Sequence, residues 1–106
     1  MARSATWKQV ERRTATALGG RRLGATGAAN PDVLTSWAAI ECKHRQTLPR
    51  WLTGALAKVR EQAGADRLGI VVLHEARRHD SLVVLSLADF RAWFCAEEGD
   101  DDAAQV

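Results

Sequence analysis

Three residues of this 106-residue sequence combine type and spacing in a way that suits chemistry: Asp32, Glu41 and Lys43. If the segment 37–44 is a strand its side chains alternate, so Glu41 and Lys43 share one face while Ile40, Cys42 and His44 share the other. A carboxylate and an ammonium are then neighbours, with alpha carbons about 6.6 Å apart. Asp32 opens the preceding apolar segment, and a hairpin through Thr35-Ser36 brings its carboxylate towards Glu41. Two converging carboxylates make a hard oxygen site suited to Mg²⁺, which keeps several waters and takes phosphate oxygens as its remaining ligands.

The elements that must position these groups are legible in the periodicity. Over residues 3–18, Trp7, Val10, Thr14 (through its methyl), Ala17 and Leu18 recur at three- and four-residue steps, which predicts an amphipathic helix stopped by Gly19-Gly20. Glu11 sits one turn beyond Trp7, beside that stripe and able to point inward. Residues 21–26 read as a short first strand and 27–31 as a turn; Asp32-Val33-Leu34 begins a second strand and 37–44 form a third. Pro49 opens a second helix, on which Leu52, Ala55, Leu56, Val59 and Ala63 form one stripe that ends at Gly64. The runs 69–74 and 82–85 are continuously apolar, the pattern of strands covered on both faces. Ser86-Leu87-Ala88-Asp89 has the form of a capping box with Asp in the acidic position, and Leu87, Phe90 and Phe94 share one face of a last short helix. The order α, β, β, β, α, β, β, α predicts an α/β fold with a central sheet flanked by helices.

Composition narrows the classes. With 46 % hydrophobic and 26 % charged residues and no run of about 20 apolar residues, the chain is expected to be globular and not membrane-spanning. Polar residues follow the N-terminus where a secretory leader needs an apolar stretch, which predicts a cytoplasmic location. Cys42 and Cys95 are too few for a disulfide framework and are expected to be reduced, largely buried thiols. The net charge of +2 hides an asymmetry, because five of the thirteen acids lie in residues 97–106. Residues 1–96 hold fifteen Lys and Arg against eight acids, a balance of +7 that suits a polyanionic partner. The acidic tail is expected to be disordered, and either to keep the protein soluble or to fold back on the basic body.

Pro31-Asp32 followed by Glu41-Cys42-Lys43 on the next strand resembles the PD-(D/E)XK motif of the restriction-endonuclease-like nuclease superfamily, with the likeness covering about residues 7–75. The family core, αβββαβ, is the order read above. The resemblance implies a restriction-endonuclease-like domain over residues 1–96, with a central mixed sheet flanked by helices and an added C-terminal strand and short helix. It also implies a DNA endonuclease dependent on Mg²⁺, with Mn²⁺ able to substitute. Asp32, Glu41 and the backbone carbonyl of Cys42 would hold the metal, and Glu11 would complete the acidic site directly or through water. Lys43 would orient or help deprotonate the attacking water, and Gln62 would stand for a glutamine that some branches carry on the helix after the motif. The small size, the early Glu11 and the basic body look most similar to Holliday-junction resolvases of archaeal and phage type. Such an enzyme cuts two symmetric strands of a four-way junction, which calls for a homodimer.

Arg12, Arg13, Arg21, Arg22, His44, Arg45, Arg50 and Lys58 are candidates for contact with the DNA backbone, where affinity requires charge and no sequence code. Trp51 suits stacking on a base, a dimer contact or burial, whereas Trp7, Trp37 and Trp93 are expected in the core. Two other readings stand beside the resolvase. One is a different phage-type repair, degradation or restriction-like nuclease; the other is a catalytically silent DNA-binding module of the same fold.

Overall fold

The computed structural model describes residues 6–23 and 30–95. The end of the first expected strand, most of the turn after it and the acidic tail therefore lie outside the described residues. The elements run α1 (Thr6–Leu18), β1 (Arg21–Arg22), β2 (Val33–Leu34), β3 (Ala39–Ile40), α2 (Arg50–Ala63), β4 (Val71–His74), β5 (Ser81–Val84) and α3 (Leu87–Phe90), which continues as a π-helical turn, Arg91–Cys95. The fold is mixed α/β. Its strands form two antiparallel sheets among the described residues, β1-β2-β3 and β4-β5, where a single mixed sheet is the expectation from sequence. The chain divides into two compact units, Met1–Gln46 and Thr47–Val106. No helix among the described residues is long and apolar enough to cross a membrane.

In the first unit α1 buries Glu11, Thr14, Ala15 and Leu18, which stand at helical spacing on one face. The Thr14 hydroxyl is satisfied within the helix, donating to the Val10 carbonyl at 2.8 Å. Gly19 then takes φ +72°, the left-handed conformation that ends a helix, and the Gly20 N–H donates to the Ala15 carbonyl at 2.8 Å. Gly20 lies against β2: a Cβ there would come within 2.5 Å of the Leu34 carbonyl oxygen. That contact fixes where β1 starts. β1 pairs with β2 at Arg21↔Leu34 and Arg22↔Val33, and the Leu23 N–H extends the pairing by donating to the Asp32 carbonyl at 3.0 Å. β2 is the central strand, and its Val33 is fully buried.

β2 and β3 form the expected hairpin, paired at Val33↔Ile40 and Leu34↔Ala39. Thr35 closes it: its N–H donates to the Ala38 carbonyl at 2.9 Å, and its Oγ1 accepts the N–H groups of Trp37 (3.0 Å) and Ala38 (2.8 Å). A side chain thus replaces a main-chain acceptor at the turn.

In the second unit the Pro49 carbonyl accepts from Leu52 and Thr53 at the start of α2, and Gly64 ends the helix at φ +71°. Leu52, Leu56, Val59 and Ala63 are half-buried along the expected stripe, whereas Ala55 is exposed. α2 packs on β4, where Gly69 lets the chain approach so closely that a Cβ would stand 2.8 Å from the Arg60 Cα. β4 and β5 pair at Val71↔Val84 through His74↔Ser81. Val72 and Val83 are register partners on one face and are 61 % and 60 % exposed, so the expectation of strands covered on both faces fails; α2 covers only the other. The Ser86 hydroxyl caps α3 by accepting the Asp89 N–H at 3.0 Å, as its sequence predicts, and the Phe90 and Phe94 rings meet at 5.3 Å.

The placement of Trp7, Trp37 and Trp93 in the core is overturned, since they are 43 %, 56 % and 50 % exposed. Trp7 precedes the buried stripe of α1 and is covered by cations instead, with Lys8 Nζ 5.5 Å and the Arg22 guanidinium 5.8 Å from its ring. Trp37 occupies the hairpin turn. Cys42 and Cys95 are free thiols, half-buried and not enclosed.

Candidate functional site

The β2–β3 hairpin and the segment that follows it carry Asp32, Glu41 and Lys43. Continued by one residue, the hairpin register sets Asp32 opposite Glu41. Directly opposed residues on antiparallel strands present their side chains on the same face. The strand itself, however, ends at Ile40, so Glu41, Cys42, Lys43 and His44 lie beyond the ladder and not inside a strand of residues 37–44. The physical reason is a side chain: Asp32 Oδ2 accepts the Cys42 N–H at 2.7 Å, so a carboxylate takes the donor that a regular ladder would give to a carbonyl.

Strand alternation therefore does not govern Glu41 and Lys43. They meet all the same, with Lys43 Nζ 2.7 Å from Glu41 Oε2 and both side chains about two-thirds exposed. At that exposure the pair adds little to stability. It keeps an ammonium beside a carboxylate in open solvent.

Glu11 occupies a different place. Only 5 % exposed, it accepts a 2.6 Å hydrogen bond from Arg22 Nε. Arg22 is the register partner of buried Val33, so this face of the sheet meets α1. Asp32 is the chain neighbour of Val33 and falls to the opposite face by alternation. The arrangement pairs Glu41 with Lys43, bonds Asp32 to the main chain of Cys42 between them, and ties Glu11 to Arg22. Among the described residues no three His, Cys, Asp or Glu side chains converge as a metal cluster.

Mg²⁺ does not require three. It is commonly held by one or two carboxylates, with waters and substrate phosphates completing its shell. Asp32 spends one oxygen on Cys42, and Glu41 spends one on Lys43, which leaves a second oxygen on each without a hydrogen-bond or ion-pair partner among the described residues. With the Cys42 carbonyl these are hard donors of the kind Mg²⁺ prefers, so the residues present fit the ion in donor chemistry.

Of the candidate DNA contacts, Arg12, Arg13 and Arg21 are exposed in the first unit, as are His44 and Arg45 after β3. Arg22 is committed to Glu11. Arg50 and Lys58 are exposed on α2 of the second unit, as is Gln62. Sequence reasoning missed Arg22 as the partner of Glu11 and Asp32 as a main-chain acceptor. The first could have been sought by asking which cation faces an inward acid; nothing in residue types signals the second. The chain matches no family model, no curated protein and no solved structure.

Proposed function

We propose that the protein is a Mg²⁺-dependent DNA endonuclease of the PD-(D/E)XK type, acting on branched DNA such as a four-way junction, with Asp32, Glu41 and Lys43 as its catalytic residues. The observation that carries this reading is the bond from the Cys42 N–H to Asp32, which ties Asp32 to the residue between Glu41 and its ion-pair partner Lys43. The element order α1, β1, β2, β3, α2, β4 also supports it, as the order of the restriction-endonuclease-like core.

Asp32 and Glu41 would hold the ion, with the Cys42 carbonyl as a further ligand. The ion, when bound, polarises the scissile phosphate and favours a hydroxide nucleophile. Lys43 donates to the attacking water or to a non-bridging phosphate oxygen, countering the charge that builds on the phosphate. The Cys42 N–H bond holds the Asp32 carboxylate in position before DNA arrives. A cytoplasmic homodimer belongs to this reading, since two symmetric cuts call for two sites.

A second reading, a silent DNA-binding module, draws on the Glu41–Lys43 pair, which engages both side chains with each other. One panel separates the two. Junction, flap, single-stranded and duplex DNA are incubated with Mg²⁺ or Mn²⁺ and the products mapped. The wild type is expected to cut the junction, leaving 5′-phosphate ends, and Asp32→Asn, Glu41→Gln and Lys43→Ala each to lose about 100-fold or more in rate. Binding without cleavage would favour the silent module, and cleavage that survives Asp32→Asn and Lys43→Ala alike would remove the catalytic assignment.

A further inference from the structure

Arg21 and Arg22 are consecutive, yet the sheet gives them opposite fates. Alternation sends them to opposite faces. Arg22 turns to α1 and is spent on Glu11 and the Trp7 ring. The Arg21 side chain is exposed, with no hydrogen-bond or ion-pair partner among the described residues. Its register partner is Leu34, which shares a face with Asp32 and, across β3, with Ala39. Arg21 and Asp32 are thus diagonal neighbours on adjacent strands, with alpha carbons about 7–8 Å apart.

Beside Arg21 lies an open groove of ≈ 450 Å³, bounded by Gly19, Gly20, Leu34, Thr35 and Ser36. Its floor depends on Gly20, where any side chain would collide with the Leu34 carbonyl. Its rim carries the exposed Ser36 at the hairpin tip, while the Thr35 hydroxyl is used in closing the turn. A cation without a side-chain partner among the described residues, a hydroxyl and an open groove therefore adjoin the face that carries Asp32.

We propose that this groove binds a phosphate of the DNA strand adjacent to the scissile one, with the Arg21 guanidinium as its anchor and the Ser36 hydroxyl as a second donor. The inference rests on the nuclease reading and adds a positioning residue to it. Guanidinium suits the role because its planar fork matches two phosphate oxygens, which a lysine ammonium meets only as a point charge. Held there, the strand cannot slide along the sheet.

The test measures junction binding in the absence of divalent metal across a salt series, and steady-state cleavage in Mg²⁺, for wild type, Arg21→Ala, Arg21→Lys and Arg67→Ala. Arg67 is exposed in the second unit and controls for the loss of one positive charge. Arg21→Ala is expected to weaken binding roughly tenfold and to lower the slope of log affinity against log salt by about 0.9, the signature of one lost phosphate contact. Its KM should rise while kcat stays within about twofold, because the contact is made equally in ground and transition states. Arg21→Lys should keep the salt slope and lose only part of the affinity. If Arg21→Ala matches Arg67→Ala in affinity and slope while the wild type binds and cuts, the groove assignment is wrong and the nuclease reading stands. If the wild type neither binds nor cuts, both fall together.

Discussion

Glu11 shows how the inward placement of a residue can be read from a helix while its partner cannot. Its inward orientation follows from its position beside the apolar stripe of α1, and it is buried. A carboxylate in that position must be paired, because desolvating a lone charge costs far more than a helix face can offset. Arg22 provides the pair at 2.6 Å. Glu11→Ala would strand a guanidinium whose side chain is only 23 % exposed, and is expected to cost about 1–3 kcal/mol in urea denaturation at neutral pH. Glu11→Gln, which keeps an acceptor, should cost less. If Glu11→Ala instead leaves the midpoint unchanged and raises the Mg²⁺ concentration needed for cleavage, Glu11 is a metal ligand and its pairing with Arg22 is incidental. The pairing of Glu41 with Lys43 was legible in the sequence because both charges are written in residue type. The Asp32–Cys42 bond was not, since a main-chain donor has no residue type to read.

At the scale of elements, the long periodic segments were the legible ones. Both long helices sit where their stripes and terminal glycines place them, and β4 and β5 follow their β-branched runs to within two residues. The third strand was read too long. The alternation of Glu41, Cys42, Lys43 and His44 continues a strand-like pattern past Ile40, but pairing depends on which acceptor takes each N–H, and there Asp32 wins the Cys42 donor. Burial was also overestimated, because a continuous apolar run does not say how many layers cover it. In the second unit a specific contact joins α2 to α3: Arg60 donates to both Asp89 oxygens, at 2.7 and 3.1 Å. The hydrogen bond from Arg60 holds the Asp89 carboxyl below its ordinary value, with the charge of Arg60 and the Ser86 hydroxyl acting in the same sense. A carboxyl that is more acidic folded than unfolded adds stability above its unfolded pKa, about 3.9, and that stability is lost as pH falls through the folded value. The stability gap between wild type and Asp89→Asn, read from urea midpoints, should therefore be open at pH 6 and narrow below pH 4. A gap of constant size at both would show that the pair is not what the substitution removes.

At the scale of the whole molecule, charge and exposed apolar surface argue in the same direction. The +7 balance of residues 1–96 gives a surface that attracts a polyanion, and its distribution over α1, the end of β3 and α2 gives such a partner more than one place to touch. Charge alone does not set the number of copies. Cutting a four-way junction symmetrically does, because each cut needs its own pair of carboxylates and each chain supplies one pair. Trp51, Val72, Leu82, Val83 and Phe94 in the second unit are each 60 % or more exposed. Side chains of this kind are common where one protein covers another, and rarer on a surface that stays in water. The resolvase form of the proposal thus predicts a dimer: light scattering at micromolar protein should give twice the chain mass, and the mass should hold as salt is raised, because apolar contacts are not screened. A mass of one chain across that range would leave the catalytic assignment of Asp32, Glu41 and Lys43 in place. It would move the substrate from a symmetric junction to DNA that a single site can cut, a flap or a free end.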